Sequence, residues 1–282
     1  MATVDTLQAE ARERPRMTVV AALAAVFTLA GALVGRVGSN TPNNLPAALL
    51  DYHRHPTAQY VSAGCSVLAA LLVAVVLDFL FRAVRARNPE LPWQIRPLVW
   101  AGGVGVAALV IASQIALRIN AGHFATHGSQ TYEEARKAIA AGVPPVLGLL
   151  FQLVFAAAIV LVALQAMRVG LLTRVLGYLG VVSGALFLLP LVPIPIVQVY
   201  WLGALALLFA GRLPNGTPPA WQSGEAIPWP TAAEQREARV RAAEARRGDG
   251  GDGDDSVEGS LAEPEDELPG LAPAKRKRKK RR

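Results

Sequence analysis

The chain has 282 residues, a formal net charge of +7 and 52% hydrophobic residues. Its charge is segregated: residues 1–211 hold 14 Lys/Arg and 8 Asp/Glu, whereas residues 212–282 hold the other 14 basic and 13 acidic residues. A soluble domain mixes charge into its apolar runs every few positions, so this pattern excludes an ordinary soluble domain over residues 1–211. Cys65 is the single cysteine, which excludes an intramolecular disulfide and a thiolate metal cluster within one chain.

Six apolar segments are long enough to cross a bilayer as helices. A helix rises 1.5 Å per residue, so about 20 apolar residues match a hydrocarbon core roughly 30 Å thick. The predicted spans are residues 17–35, 59–81, 97–117, 143–167, 175–193 and 194–211. The sequence therefore predicts an all-α, polytopic transmembrane helix bundle over residues 17–211, between an N-terminal segment (1–16) and a charged, largely disordered C-terminal tail (212–282).

Two of these spans have a second interpretation. The prolines within residues 190–195 disfavour a continuous helix, so we interpret residues 175–211 as a tight helical hairpin. The alternative is one kinked or re-entrant element. Arginines precede the first span, as in a signal peptide, but its long apolar run and the lack of an A-x-A cleavage site favour a retained helix.

The distribution of basic residues predicts which ends face the cytoplasm, because short cytoplasmic loops are enriched in Lys and Arg. With the N-terminus inside, the inner side collects Arg12, Arg14, Arg16, Arg82, Arg85, Arg87, Arg96, Arg168, Arg174 and Arg212. The outer side collects Arg36, Arg54, Arg118, Arg136 and Lys137. Both termini are therefore predicted to be cytoplasmic. Four aromatic residues near the span ends suit the interfacial belt: Tyr60, Trp93, Trp100 and Trp221.

Small residues within the spans predict close helix packing. Gly31 with Gly35, and Gly180 with Gly184, form G-x-x-x-G pairs, and such pairs let helix backbones approach each other in a membrane. We interpret them as contacts within the chain, with homodimerisation as the alternative. The oligomeric state itself does not follow from the sequence.

Asp78 is the only acidic residue inside the predicted spans. Asp78 precedes Arg82 by one helical turn, and we interpret the two as a structural ion pair rather than a proton or ion site. Gln114, Gln152 and Gln198 fall in the outer halves of three different spans. Amides of this kind bond neighbouring helices together, and the alternative is that they line a polar pathway.

All four histidines fall in the two longer outer loops. His53 and His55 form an H-x-H pair, and His123 and His127 form an H-x-x-x-H pair that would share one face of a helix. They are weak metal candidates, because no acid stands at a diagnostic spacing from either pair. We expect solvated loop histidines and no cofactor. Thr131 and Glu134 predict a capped short helix that ends near Gly142.

The tail divides into three parts. Residues 216–230 are rich in Pro and Gly and are expected to run along the interface without folding. Residues 232–247 predict a solvated helix in which Glu237 reaches Arg241, and residues 249–267 hold nine acids and no base, a composition typical of disorder. The last eight residues are all basic: Lys275, Arg276, Lys277, Arg278, Lys279, Lys280, Arg281 and Arg282. They are predicted to contact anionic lipid head groups rather than nucleic acid.

The runs AMRVGLLTRVLGYLGVVSGALFLLPLVP and WLGALALLFAGRLPNGTPPAWQSGEAIPWP resemble uncharacterised multi-pass membrane proteins of high-GC bacteria. A basic C-terminal end is similar to theirs, and the resemblance covers residues 45–230. It implies a bacterial plasma-membrane location and a similar number of helices. It implies no activity and no functional residue.

Three functional hypotheses follow from the sequence. The first is a non-enzymatic structural or interaction module whose tail contacts lipids or a cytoplasmic partner. The second is a small transporter or channel that uses the three glutamines and Arg118. The third is a lipid-modifying enzyme, which would need His, acids or a nucleophile gathered at one depth.

Overall fold

The computed structural model describes residues 4–37, 44–127, 129–189, 195–214, 216–229, 234, 236, 237 and 240–242. Its helices are α1 (Val4–Val37), α2 (Leu45–Arg54), α3 (Thr57–Arg87), α4 (Ile95–Thr126), α5 (Tyr132–Ala140), α6 (Pro145–Arg168), α7 (Arg174–Leu188), α8 (Ile196–Phe209) and α9 (Ala220–Ser223). No strand occurs in these described ranges, so the all-α prediction is confirmed there. The chain forms two compact units, Met1–Trp229 and Pro230–Arg282.

Four helices are long and apolar enough to cross a bilayer: α1, α3, α4 and α6. Helices α7 and α8 are apolar but shorter, at 15 and 14 residues, which correspond to about 22 Å of helix each. The prolines at 190 and 193, which predicted the break between them, lie outside the described residues. So do the acidic run of residues 249–267 and the basic residues 275–282.

Helix α1 is longer than the predicted first span. It begins at Val4 and continues through Pro15, although proline removes one backbone hydrogen bond inside a helix. Residues before the span hold it in place, because Glu10 and Glu13 pair with arginines of α3. Further along, α1 packs against α3 and α8. These contacts favour a retained helix over a cleaved signal peptide.

The six apolar helices alternate in direction, and one end of the bundle gathers most of the arginines. Glu13, near the start of α1, pairs with Arg82 near the end of α3. Asp78, one turn before Arg82, pairs with Arg96 at the start of α4. We call this the arginine-rich end. Helices α1, α4 and α7 begin there, and α3, α6 and α8 end there.

Helices α7 and α8 form an antiparallel hairpin, as predicted. Helix α7 runs along α6 in the opposite direction: Gly177 lies against Met167 near the arginine-rich end. At the other end of α7, the rings of Phe187 and Phe155 lie 5.4 Å apart. Helix α7 ends one residue after Phe187, whereas α6 begins ten residues before Phe155. The first turns of α6 therefore lack α7 as a neighbour.

Glycines bring the helices close together, and the predicted G-x-x-x-G pairs act within the chain. A Cβ atom on Gly31 would lie 3.1 Å from Ser66 Oγ of α3, and one on Gly180 would lie 2.6 Å from Ala163 Cβ of α6. Among the glycines within helices, Gly102 of α4 has the tightest backbone contact, since a Cβ there would lie 2.7 Å from Phe155 Cα. In the described residues, these glycines contact other helices of the same chain.

Replacing Gly102 by alanine should push α4 away from α6. Overpacking of this kind typically lowers stability by about 1–3 kcal/mol, so we expect a lower midpoint when the purified protein is unfolded by heat. Gly203→Ala is the matched control, because nothing lies within 4 Å of a Cβ atom on Gly203. Alanine is also the better helix former, so Gly203→Ala should leave the midpoint unchanged or raise it slightly. Equal midpoints for the two variants would contradict the packing argument.

Candidate functional site

An apolar cavity of about 300 Å³ lies among the apolar helices of the bundle, and we call it the interior cavity. Residues from all six apolar helices or their flanks line it. They are Thr28, Gly31, Ala32, Ser66, Ala69, Ala70, Val73, Val106, Val110, Phe155, Ile159, Ser183, Phe187, Pro195, Gln198, Trp201 and Leu202. None of the described residues that line the cavity is ionisable.

The polar side chains that line the interior cavity differ in whether they have hydrogen-bond partners. Thr28 and Ser66 donate their hydroxyl hydrogens to carbonyl oxygens one turn back in their own helices, at 2.7 and 2.9 Å. Gln198 donates its side-chain amide to the carbonyl oxygen of Ser183 at 3.4 Å. The Ser183 hydroxyl is fully buried and has no hydrogen-bond partner among the described residues. Such an unpaired hydroxyl costs about 1–3 kcal/mol, so a ligand atom that bonds it would be stabilised.

A second pocket lies beside the interior cavity at the start of α6, and we call it the glutamine pocket. Its volume is about 310 Å³, and its walls are Val106, Leu109, Val110, Ser113, Gln114, Val143, Pro144, Pro145, Gly148 and Gln152. Val106 and Val110 line both spaces, so these two side chains separate the interior cavity from the glutamine pocket.

The three predicted glutamines therefore do not form one pathway. Gln114 and Gln152 share the glutamine pocket, whereas Gln198 lines the interior cavity. Gln114 also accepts a hydrogen bond from the Tyr52 hydroxyl at 3.1 Å, which is the helix-bonding role expected for an amide. Burial raises the pKa of Tyr52, so its hydroxyl stays protonated and remains a donor. Arg118 lies outside both spaces and donates to the His53 carbonyl oxygen at 3.0 Å.

The histidines lie where α2 and α4 end. His123 and His127 share one helix face as predicted, with stacked rings 5.1 Å apart. His53 lies close to α4, since its Cε1 would be 3.8 Å from a Cβ atom on Gly122, and its Nδ1 is buried without a hydrogen-bond partner. His55 caps α2 and is exposed. Within the described residues, no three His, Cys, Asp or Glu side chains are grouped in a way that could hold a metal.

A third pocket, of about 310 Å³, contains the second histidine pair. Its lining residues are Asn120, His123, Phe124, His127, Glu134, Lys137, Ala138 and Ala141. Helix α5 forms one wall, and it begins as predicted, with the Thr131 hydroxyl accepting from the Glu134 N–H at 3.4 Å. The pocket therefore holds groups that can carry protons, but no Ser, Thr or Cys among its lining residues could act as a nucleophile.

Asp78 is more heavily paired than the sequence indicated. The predicted bond to Arg82 is present at 3.2 Å. Two groups of α4 add to it: Arg96 donates at 2.7 Å and the indole N–H of Trp100 at 3.2 Å. Three donors therefore bond this carboxylate, and two of them come from a neighbouring helix. This arrangement supports the structural interpretation of Asp78.

Arg87 is the most deeply buried cation of the arginine-rich end. Its side chain has no exposed surface, and it binds both carboxylate oxygens of Glu10 at 2.9 Å. The same guanidinium donates to the carbonyl oxygens of Ala83 and Ala220, at 2.8 and 2.9 Å. Arg87 thus joins three parts of the chain: α1, α3 and α9. Sequence reasoning placed Arg87 among the topology signals and missed this role.

Residues 216–229 are folded against the arginine-rich end, and we call this segment the strap. Trp221 is buried and stacks on Phe79, with its indole N–H donating to the Leu171 carbonyl oxygen at 2.9 Å. The guanidinium of Arg14 lies 4.4 Å from the Trp221 ring, which adds a cation–π attraction. The Trp229 indole N–H donates to the Leu172 carbonyl oxygen at 2.8 Å.

Two interpretations of the strap are therefore wrong for the described residues. The strap does not run unfolded along an interface, because Trp221 is inside the compact unit Met1–Trp229. Trp221 also does not belong to an interfacial belt. The Pro- and Gly-rich composition predicted an unfolded segment, but these residues form tight turns over the helix ends. Gly224 adopts a φ of +71° where Leu7 packs against it. Tyr60, Trp93 and Trp100 are more exposed than Trp221, as the belt predicted.

Replacing Arg87 by alanine should destabilise the protein strongly. Removing one partner of a buried ion pair leaves the other uncompensated, which typically costs about 3–5 kcal/mol. We expect a large drop in the thermal midpoint, and early trypsin cleavage at Arg212, which adjoins the strap. Arg85→Ala is the matched control, since Arg85 is an exposed arginine of the same helix. Similar midpoints for both variants would contradict the role of Arg87.

Comparisons with protein families, with characterised proteins and with solved structures find no match to this chain.

Proposed function

We propose that this chain is a non-enzymatic membrane protein of a bacterial plasma membrane, with six crossings and with both termini cytoplasmic. It acts as an interaction module that presents a charged tail at the inner membrane surface. The strap carries this proposal. Trp221 and Trp229 hold the first part of the tail, residues 216–229, on the arginine-rich end. The bacterial location rests on the resemblance noted above.

The sidedness has support from two sources. Ten arginines lie on segments that begin or end at the arginine-rich end, and five basic residues lie on the opposite segments. Residues 4–14 and the strap meet at the same end, since Leu7 lies against Gly224. An even number of crossings follows, because α7 and α8 return to the end from which they started.

The role of the tail has support from charge and from attachment. Eight consecutive basic residues, 275–282, would each contribute about 1 kcal/mol near an anionic surface. The described helical residues of the tail unit are exposed, and Glu237 pairs with Arg241 at 3.5 Å, as predicted for a solvated helix. Transport has less support, because the three glutamines line two separate spaces.

Cysteine labelling tests the topology. In a Cys65→Ser background, we expect Ser129→Cys to react with a membrane-impermeant maleimide on intact cells, because residue 129 lies between α4 and α5 on the outer side. Ser256→Cys in the tail should react only after permeabilisation. Val192→Cys, whose position in the sequence lies between α7 and α8, should react from outside if the hairpin crosses fully. Labelling of Ser256→Cys on intact cells would contradict the proposed sidedness.

Charge neutralisation tests the tail. A fluorophore on Ala274→Cys, in the Cys65→Ser background, should be quenched by quencher-bearing lipids in nanodiscs that contain phosphatidylglycerol. Quenching should fall in neutral phosphatidylcholine, in high salt, or when all eight basic residues are replaced by Gln. Equal quenching in all conditions would contradict an electrostatic contact.

Two truncations control for the strap. A chain that ends at Trp229 should remain folded without the tail, because the compact unit ends there. A chain that ends at Gly211 loses Trp221 and should be unstable. The tail must therefore be removed after residue 229, so that lost partners are not confused with lost folding.

A further inference from the structure

We infer that the interior cavity and the glutamine pocket together bind one single-chain lipid with an uncharged ester head, of the monoacylglycerol class. The inference rests on the proposed membrane location, because the ligand must arrive from a bilayer. It goes beyond that proposal by assigning a binding site to residues that have no other evident role. Volume, lining chemistry, an unpaired hydroxyl and access each support one part of it.

The interior cavity suits a hydrocarbon chain. An apolar cavity of about 150 Å³ stays free of water and can hold a benzene ring, so about 300 Å³ provides room for roughly a dozen carbon atoms. Side chains that contribute only carbon form most of its wall, including Ala70, Val73, Phe155, Ile159 and Phe187. Water has few partners in such a space, whereas an alkyl chain gains dispersion contacts throughout it.

The glutamine pocket suits an uncharged head group. Its polar groups are the amides of Gln114 and Gln152 and the hydroxyl of Ser113, which can donate and accept hydrogen bonds. No ionisable side chain lines either this pocket or the interior cavity. A phosphate or carboxylate head would therefore be buried without a counter-charge, which is strongly unfavourable. Hydroxyl groups of a glycerol head meet no such penalty.

Ser183 supplies the third part of the inference. Ser183 is one of the residues that line the interior cavity, and its buried hydroxyl has no hydrogen-bond partner among the described residues. An ester carbonyl oxygen within the cavity would accept this hydrogen bond. Val106 and Val110 line both the cavity and the glutamine pocket, so the two spaces are neighbours. One molecule with a polar head, an ester and a chain can therefore occupy both spaces if these valines change rotamer.

The bilayer can reach the glutamine pocket directly. Its walls include the first turns of α6, where α7 is absent as a neighbour. The apolar side chains on these turns are exposed, as shown by Val146 at 75% and Leu149 at 57%. Gln152 is exposed as well. A lipid beside α6 would thus meet the pocket without unfolding any helix.

Photo-crosslinking of the full chain tests the site. The protein is extracted into styrene–maleic acid nanodiscs, which avoids alkyl detergents, and is labelled with a diazirine-bearing monoacylglycerol. We expect adducts on residues 105–113 of α4 and 145–155 of α6. Monolaurin should compete for labelling, and laurate should compete at least tenfold less well. Ser183→Ala should weaken the monolaurin competition about two- to tenfold, as expected for one lost hydrogen bond.

Valine-to-tryptophan variants provide the matched pair. Val110→Trp fills the space between cavity and pocket and should abolish the specific adducts, whereas Val104→Trp, on an exposed face of the same helix, should retain them. The inference is overturned if folded Val110→Trp labels like Val104→Trp, or if laurate competes as well as monolaurin. If Val110→Trp fails to fold, the positions of the adducts on the unmodified protein test the inference instead. Adducts spread over exposed α1 residues such as Val26 would then overturn the inference. Failure of the topology would appear separately, in the cysteine labelling.

Discussion

The structure depends on one constraint: the backbone polar groups of its apolar segments must be bonded within each helix, because hydrocarbon offers no partner. Helices that satisfy themselves in this way gain little from the hydrophobic effect when they associate in lipid. Their packing must come from close contact, and glycine supplies it where α4 meets α6 at Phe155 and where α7 meets α6. Polar bonding is concentrated outside these contacts, at the two ends of the bundle.

The two ends are held together by different chemistry. At the arginine-rich end, Arg87 and Asp78 link helices through charge-assisted bonds. Trp221 packs there as well, with its ring stacked on Phe79. At the opposite end, α2 and α5 cover α4 with a small apolar cluster around Tyr52 and Phe124. Between these ends lie the interior cavity and the glutamine pocket. Binding of a lipid there would fit a protein whose ends are fixed and whose middle is loosely packed.

Local patterns predicted the helices well, because apolar length and capping are local properties. The Thr131 cap and the Asp78–Arg82 pair lie within one helical turn, so spacing alone reveals them. The contacts of Arg87 with Ala220 and of Trp221 with Leu171 join residues 133 and 50 positions apart. No composition rule encodes such pairs. The unpaired state of Ser183 was likewise hidden, because it depends on which helices surround it.

The antiparallel course of α7 and α8 has a consequence for how the protein tolerates change. A helical hairpin that returns to the membrane surface at which it began does not change whether the total number of crossings is odd or even. This holds for any depth of the hairpin. The location of residue 229 relative to residue 4 is thus decided by the four long helices alone. Mutations that shorten or lengthen the hairpin could alter the membrane interior of this protein while leaving the compartment of its C-terminus unchanged.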